Sequence, residues 1–171
     1  MHPWSDVTRE ERFFTAMLFQ AVSADPRPMA RMISGPLRLD PGIKIKDVGY
    51  EVCFFRDAWH AQLMASRASK KLEKQTFDLV FWMSDGLMVI VEVKAHQRFN
   101  MGQLDDLVQG REAILQAKLA DSVRLLGLHS SKYTPAMARS VMMDCVTWKD
   151  MMAVYPGMAS HFAHADRIYG D

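Results

Sequence analysis

Cysteine is scarce in this sequence of 171 residues, and its scarcity excludes two classes of protein. The two cysteines, Cys53 and Cys145, both lie inside apolar runs. Such a pair forms neither a disulfide framework nor a zinc cluster, so we expect two buried thiols in a reducing compartment. A cytoplasmic location is therefore predicted.

Long apolar runs are also missing. The longest aliphatic stretch, residues 87–91, is far shorter than a membrane span requires. Near the amino terminus, Asp6, Glu10 and Glu11 interrupt any apolar segment, so no secretory signal is expected. Half of the residues are apolar (49%) and a quarter are charged (24%), which is the composition of an ordinary globular domain. A protein without a membrane partner is therefore predicted.

Charge of one sign is not in excess over the whole chain, whose net charge is +1, but it is unevenly distributed. Residues 25–75 carry 10 basic and 6 acidic side chains. The excess predicts contacts with a phosphate backbone, while a solvated surface of mixed charge would explain it equally well. The candidate nucleic-acid-binding residues in this segment are Arg31, Lys44, Lys46, Lys70, Lys71 and Lys74.

The hydrophobic periodicity predicts an α/β protein that forms one domain over residues 1–171, with its core at 8–155 and a tail at 156–171. Residues 25–48 hold four of the seven prolines and are predicted to be an ordered loop. The predicted elements are a helix at 8–24, strands at 49–55, 76–83 and 87–94, a helix at 100–119, strands at 123–128 and 140–146, and a helix at 148–155.

Two of these strands, at 76–83 and 87–94, are joined by the short loop Ser84-Asp85-Gly86, which is typical of a β-hairpin. If Met83 pairs with Leu87 across the loop, Asp78 stands directly opposite Glu92. Lys94 lies two residues beyond Glu92 and therefore shares its face of the sheet. The hairpin thus brings three ionisable groups together in an otherwise apolar strand pair.

Two carboxylates that face each other repel, and burying them without compensation is costly. A hard divalent cation removes the repulsion, because Mg²⁺ accepts carboxylate oxygens together with a backbone carbonyl such as that of Val93. Lys94 would then orient or deprotonate the attacking water and stabilise a developing oxyanion. The pattern predicts hydrolysis of a phosphodiester bond. The alternative is an exposed Glu92–Lys94 pair at a strand end, with Asp78 at the start of its strand.

The pair Phe77-Asp78, followed after a gap by Glu92-Val93-Lys94, resembles the signature of the PD-(D/E)xK nuclease superfamily. The likeness covers residues 8–150 in the order of elements. It implies a restriction-endonuclease-like αβββαβ core, with a mixed central sheet flanked by helices. One departure is Phe77, which stands where the motif has proline.

This resemblance also implies roles for individual residues. Asp78 and Glu92 match the metal-binding acids and Lys94 the catalytic lysine. The remaining matches are Val93, whose carbonyl completes the metal shell, Glu11 or Glu10 from the first helix as a further acid, and Gln103 on the helix after the motif as a supporting residue. The implied cofactor is Mg²⁺ or Mn²⁺ and the implied partner is nucleic acid, with DNA favoured. The small size of the chain also fits a homodimer, in which each subunit cuts one strand.

Other interpretations stay open from the sequence. Glu11 stands where the third helical residue of a capping box begun by Thr8 would be, so its role could be structural. Gln103 has the same alternative if Asn100 caps its helix. For the whole chain, the alternatives are a catalytically silent nuclease-fold module that binds nucleic acid or protein, and an unrelated small α/β protein.

Overall fold

A computed structural model describes residues 3–141 and 143–170, which form an α/β fold around one mixed sheet. The five strands lie side by side in chain order. The first three strands pair with one another in antiparallel fashion, and the last two run parallel to the third. The α/β class and the mixed sheet flanked by helices are confirmed. The strands are β1 (Ile45–Val52), β2 (Phe77–Met83), β3 (Leu87–Val93), β4 (Ser122–His129) and β5 (Asp144–Thr147).

Helices cover both faces of this sheet. One core lies beneath the two amino-terminal and the two carboxyl-terminal helices, and the other beneath the helices of the middle of the chain. The first set is α1 (Glu11–Ala24), α2 (Arg27–Leu37), α7 (Trp148–Val154) and α8 (Ala159–Arg167), and the second is α3 (Phe54–His60), α4 (Lys70–Glu73), α5 (Met101–Gln116) and α6 (Ala136–Ser140). Of the helices that the structure describes, none combines the length and the apolar character that crossing a bilayer demands.

The central position of β3 explains its composition. All seven of its residues are buried, because β2 and β4 flank it and helices cover both of its faces. A strand in that position is expected to be a continuous apolar run rather than an alternating one. Glu92 near its end is therefore an exception that needs compensation.

The loop predicted at 25–48 is wrong, because α2 occupies Arg27–Leu37. Pro28 lies in the first turn of this helix, where a backbone N–H has no helical partner, so proline is tolerated there. The first strand is also shifted from the predicted 49–55 to Ile45–Val52. Phe54 and Phe55 look like strand residues, but they are the buried side of α3.

The predicted tail at 156–171 instead packs into the domain over its described residues. Phe162 and Ala165 of α8 are fully buried, and the ring of Phe162 stacks on that of Trp148 with centroids 5.6 Å apart. The strand predicted at 140–146 is observed as β5 at Asp144–Thr147, and Met142 lies outside the described residues. Thr147 caps α7 with a full capping box, as its position before Trp148 predicts.

Candidate functional site

The β2–β3 hairpin has the predicted register. Leu79 pairs with Val91 and Trp82 with Met88, which is the alignment that sets Met83 against Leu87. Gly86 closes the turn with a φ of 80°, a conformation that glycine adopts without strain. The loop length therefore decides which residues meet at the far end of the hairpin, where Asp78 and Glu92 continue the same alignment.

At that far end the two strands separate and form a fork. The ladder stops at Leu79 and Val91, and the next amide, that of Val93, donates to Asp78 Oδ2 at 2.8 Å. The carboxylate thus takes the place of a backbone carbonyl of β2. Meanwhile the amide of Lys94 donates to the carbonyl of Leu128 on β4 at 2.8 Å. The Val93 carbonyl belongs to the same peptide group as the Lys94 amide. Because the C=O and N–H of a trans peptide group point in opposite directions, this carbonyl points away from β4 and toward the fork.

Lys94 and Glu92 form a buried ion pair beside the fork. Their Nζ and Oε1 atoms are 2.8 Å apart, and the side chains are only 7% and 10% exposed. The indole Nε1 of Trp148 donates to the Lys94 carbonyl at 2.9 Å and fixes the backbone on the other side. The pair satisfies two charges that burial would otherwise make costly.

Glu11 joins this group from the first helix. Helix α1 begins at Glu11 itself, and the side chain does not return to the Thr8 backbone, so the predicted capping box is wrong. Thr8 Oγ1 accepts instead from the amide of Glu10 at 3.2 Å. Glu11 Oε2 accepts from the amide of Ala95 at 2.8 Å and so ties α1 to the end of β3.

A cleft of about 300 Å³ opens at the fork. Its wall combines acidic and basic groups from α1, from the fork and from the loop after β3. The lining residues are Glu10, Glu11, Arg12, Thr15, Asp78, Val93, Lys94, His96 and Gln97. Gln103 does not line the cleft, because its amide oxygen accepts from Asn100 Nδ2 at 2.8 Å at the start of α5. The capping interpretation of Asn100 is confirmed.

Burial controls the electrostatics of the three central groups. Burial first, and the Glu92 charge second, raise the pKa of Asp78 to about 7, although the Val93 amide opposes the rise. Burial also raises the pKa of Glu92, against the attraction of Lys94. Burial alone would lower the pKa of Lys94, but the Glu92 carboxylate raises it overall. Lys94 is therefore a protonated ammonium at neutral pH.

A metal ion would need some rearrangement of these side chains. Among residues 3–141 and 143–170, no three His, Cys, Asp or Glu side chains stand together as a preformed metal site. One oxygen each of Asp78, Glu92 and Glu11 already accepts a hydrogen bond from the protein. The donors are nevertheless carboxylate oxygens, and Val93, which lines the cleft, adds a backbone carbonyl; this is the chemistry that a hard divalent cation accepts.

Three residues in or beside the cleft, Arg12, Glu51 and His96, are not among the predicted site residues. Arg12 and Glu51 form an ion pair at 3.3 Å on its rim. Glu51 lies across from Asp78 in the β1–β2 register, which no local sequence signal reveals. His96 also lines the cleft, and its Nδ1 atom is buried without a hydrogen-bond partner in the described structure. Its position two residues after Lys94 was the available signal.

The candidate phosphate-binding residues are divided between distant places. Lys70, Lys71 and Lys74 lie on or next to α4, just before the start of β2, and Lys71 is paired with Asp106 on α5 at 2.5 Å. These three are at the same end of the sheet as Asp78.

The other three lie elsewhere. Lys44 and Lys46 flank Ile45, which pairs with Met83 at the hairpin-turn end, roughly 17 Å along β2 from Asp78. Arg31 is near Asp25, at the carboxyl end of α1, whereas the cleft is at its amino end. The structure does not bring these three to the cleft.

Comparison with known proteins adds no evidence on what the fork does. No protein-family model matches the chain, and no curated protein or solved structure matches it either. The resemblance to the nuclease superfamily therefore rests on the residues of this chain alone, above all on Asp78, Glu92 and Lys94.

Proposed function

We propose that the protein is a divalent-metal-dependent nuclease that hydrolyses phosphodiester bonds of DNA, with a core of the PD-(D/E)xK type. The observation that carries the proposal is the convergence of Asp78, Glu92 and Lys94 at one forked strand end. The order of elements supports it as well. Apart from α2 and the short α3 and α4, the chain runs through α1, β1, β2, β3, α5 and β4, which matches the implied αβββαβ order.

The donor set at the fork fits Mg²⁺ or Mn²⁺. Asp78 and Glu92 would hold the cation, with the Val93 carbonyl and Glu11 as further oxygen donors. When bound, the cation supplies positive charge that polarises the scissile phosphate and activates the attacking water. Asp78 is suited to binding the cation, because its pKa of about 7 lets the carboxyl group lose its proton near neutral pH.

Lys94 would act on the attacking water and on the transition state. As a buried ammonium it donates hydrogen bonds, so it orients the water rather than removing its proton. The same charge stabilises the negative charge that develops on the phosphoryl oxygens, and the nearly dry surroundings strengthen that effect. Lys70, Lys71 and Lys74, at the same end of the sheet, would attract the phosphate backbone toward the cleft.

Calorimetry and cleavage together test the proposal. Mg²⁺ and Mn²⁺ are titrated into the wild type, Asp78→Asn, Lys94→Ala and Glu112→Gln, and each protein is then incubated with supercoiled, linear and single-stranded DNA and with RNA. We expect Asp78→Asn to lose both metal binding and cleavage. Glu112 is the control, because its carboxylate is on α5, outside the cleft, where it pairs with Arg111 at 2.9 Å. Cleavage that survives in both Asp78→Asn and Lys94→Ala would contradict the proposal.

A second candidate is the catalytically silent module of the same fold that binds nucleic acid. The observation that favours it is the Glu92–Lys94 pair, which neutralises one metal-binding acid with the catalytic cation. In that case the wild type would bind DNA while neither Mg²⁺ nor Mn²⁺ gives a calorimetric signal. The two candidates therefore differ in the metal titration before any substrate is added.

A further inference from the structure

Glu51 has an unusual backbone conformation. Four non-glycine residues of the described chain have positive φ, and three of them, Arg38, Gln62 and Lys118, lie at the carboxyl ends of helices. A left-handed residue is common there because it closes the helix. Glu51, with a φ of 51°, lies inside β1, where a residue with a long side chain rarely takes this conformation. Such a residue persists only where its surroundings hold it.

The left-handed conformation of Glu51 changes the face of the sheet on which its side chain lies. Tyr50 lies on the α1 side of the sheet, where its ring stacks on Phe19 at 5.8 Å. In a regular strand the next side chain would point to the opposite face. Instead, the Glu51 carboxylate reaches Arg12 of α1 at 3.3 Å, and Val52 packs into the other core. Tyr50 Oη also donates to the Arg12 carbonyl at 3.2 Å, so β1 holds this residue at two points.

Arg12 is thereby fixed on the rim of the cleft with most of its side chain in solvent. The side chain is 77% exposed, and the pairing with Glu51 uses its Nε atom. The terminal nitrogens of a guanidinium are the atoms that bind phosphate oxygens in a fork. The rest of the cleft carries three acids, Glu10, Glu11 and Asp78, and one further cation, Lys94, which is already paired with Glu92. A fixed cation on the rim offsets the repulsion between these acids and an anion.

We propose that Arg12 binds a backbone phosphate of the nucleic-acid substrate, and that Glu51, through its strained backbone, is the positioning residue that holds Arg12 over the cleft. This inference rests on the proposed function. It adds a substrate contact that neither the motif nor the basic cluster at Lys70, Lys71 and Lys74 contains. It also explains why Glu51 takes a left-handed conformation inside β1.

The test measures binding without turnover. A fluorescently labelled DNA oligonucleotide is titrated with protein in Ca²⁺, and anisotropy is followed from 50 to 300 mM salt. Arg12→Gln is compared with the wild type and with Arg27→Gln. Arg27 is a matched control, because it is 80% exposed and paired with Asp25 at 2.8 Å. It lies about 20 Å away, at the opposite end of α1 from the cleft.

We expect Arg12→Gln to weaken binding about tenfold and to lower the slope of log Kd against log salt by about one. Arg12→Lys should keep the slope and lose part of the affinity, because it keeps the charge without the fork. Arg27→Gln should leave both quantities unchanged. Glu51→Gln should weaken binding less than Arg12→Gln, with an unchanged melting temperature as the check on folding.

The outcomes separate this inference from the proposed function. If metal binds and DNA is cleaved but Arg12→Gln matches the wild type in affinity and salt slope, the inference is wrong and the nuclease proposal stands. If Arg12-dependent binding is seen without metal binding or cleavage, the phosphate contact stands and the nuclease proposal fails. A wild type that binds no DNA overturns the inference. If Arg12→Gln does not fold, Arg12→Lys decides through its affinity.

Discussion

At the scale of single residues, the buried charges of the site are compensated to different degrees. Lys94 and Glu92 compensate each other directly at 2.8 Å. Among the described residues, Asp78 has only the Val93 amide as a hydrogen-bond donor, and burial together with the Glu92 charge raises its pKa to about 7. The acid that is least compensated is therefore the one most ready to gain from a cation.

The pH dependence of stability should reveal Asp78. An unfolded aspartate titrates near 3.8, whereas the folded one titrates near 7, so between these values the folded state holds a proton that the unfolded state has lost. The free energy of unfolding of the metal-free protein should therefore fall as pH rises from about 4 to 7, by roughly 2–4 kcal/mol. Urea denaturation at several pH values measures it. Asp78→Asn should flatten this part of the curve, and an equally steep fall in that variant would refute the assignment.

Lys94→Met should separate catalysis from stability. The change keeps the aliphatic stem, removes the charge and leaves Glu92 buried without a cation. We expect cleavage to fall at least about a hundredfold. The free energy of unfolding should fall by about 2–4 kcal/mol at pH 8 and by less in more acidic solution, because burial, which raises the pKa of Glu92, favours its neutral form once the cation is gone. Adding Glu92→Gln should recover stability but not cleavage. Full activity of Lys94→Met would remove Lys94 from the mechanism.

At the scale of elements, α1 is attached to the site through two adjacent residues of its first turn, Glu11 and Arg12. Glu11 accepts from the Ala95 amide after β3, and Arg12 pairs with Glu51 on β1. The first turn of α1 therefore bridges the two strands that flank β2 at the fork. A helix docked in this way brings acidic and basic groups to a cleft that the hairpin alone would leave open.

Glu11 can be tested for a structural and a metal-binding role separately. Glu11→Gln keeps an oxygen that accepts from the Ala95 amide but removes the charge. It should change the free energy of unfolding by less than about 0.5 kcal/mol and weaken Mn²⁺ binding in calorimetry. Glu11→Ala leaves a buried amide without a partner, so it should also cost about 1–2 kcal/mol. Equal metal affinity in Glu11→Gln and the wild type would limit Glu11 to the structural role.

At the scale of the whole molecule, residues 156–170 complete the core on the α1 side of the sheet. Phe162 stacks on Trp148, and Trp148 in turn donates its indole N–H to the Lys94 carbonyl. His164 Nε2 lies 2.9 Å from the Thr8 carbonyl and links α8 to the segment before α1. Helix α8 thus supports the backbone of the site through Trp148, which lies between Phe162 and the Lys94 carbonyl.

Phe162→Ala should therefore destabilise the entire domain. The side chain is fully buried, so its removal should lower the free energy of unfolding by about 3–5 kcal/mol. Leu63→Ala is the matched control, because Leu63 is 65% exposed and should change it by less than about 0.5 kcal/mol. Equilibrium urea unfolding compares the two variants. A small effect of Phe162→Ala would mean that residues 156–170 do not belong to the cooperative unit.

Much of the site followed from the sequence because its parts are local. The three-residue loop sets the β2–β3 register, and the register sets Asp78 beside Glu92. The apolar run of β3 is typical of a buried strand, and Glu92 near its end is the one charged residue in that run. These features depend on turn length and on the alternation of side chains, which neighbouring residues determine by themselves.

The rest depends on contacts between distant segments. Glu11 looks like a capping residue until α1 docks on Ala95, and Glu51 looks like an ordinary strand residue until β1 pairs with β2. The prolines near the amino terminus suggest a loop, yet α2 forms because burial of its apolar face outweighs weak helix propensity. The sequence by itself determined the hairpin and its three ionisable groups. Only the tertiary structure decided which further charges surround them, because docking energy is set by surfaces far apart in the chain.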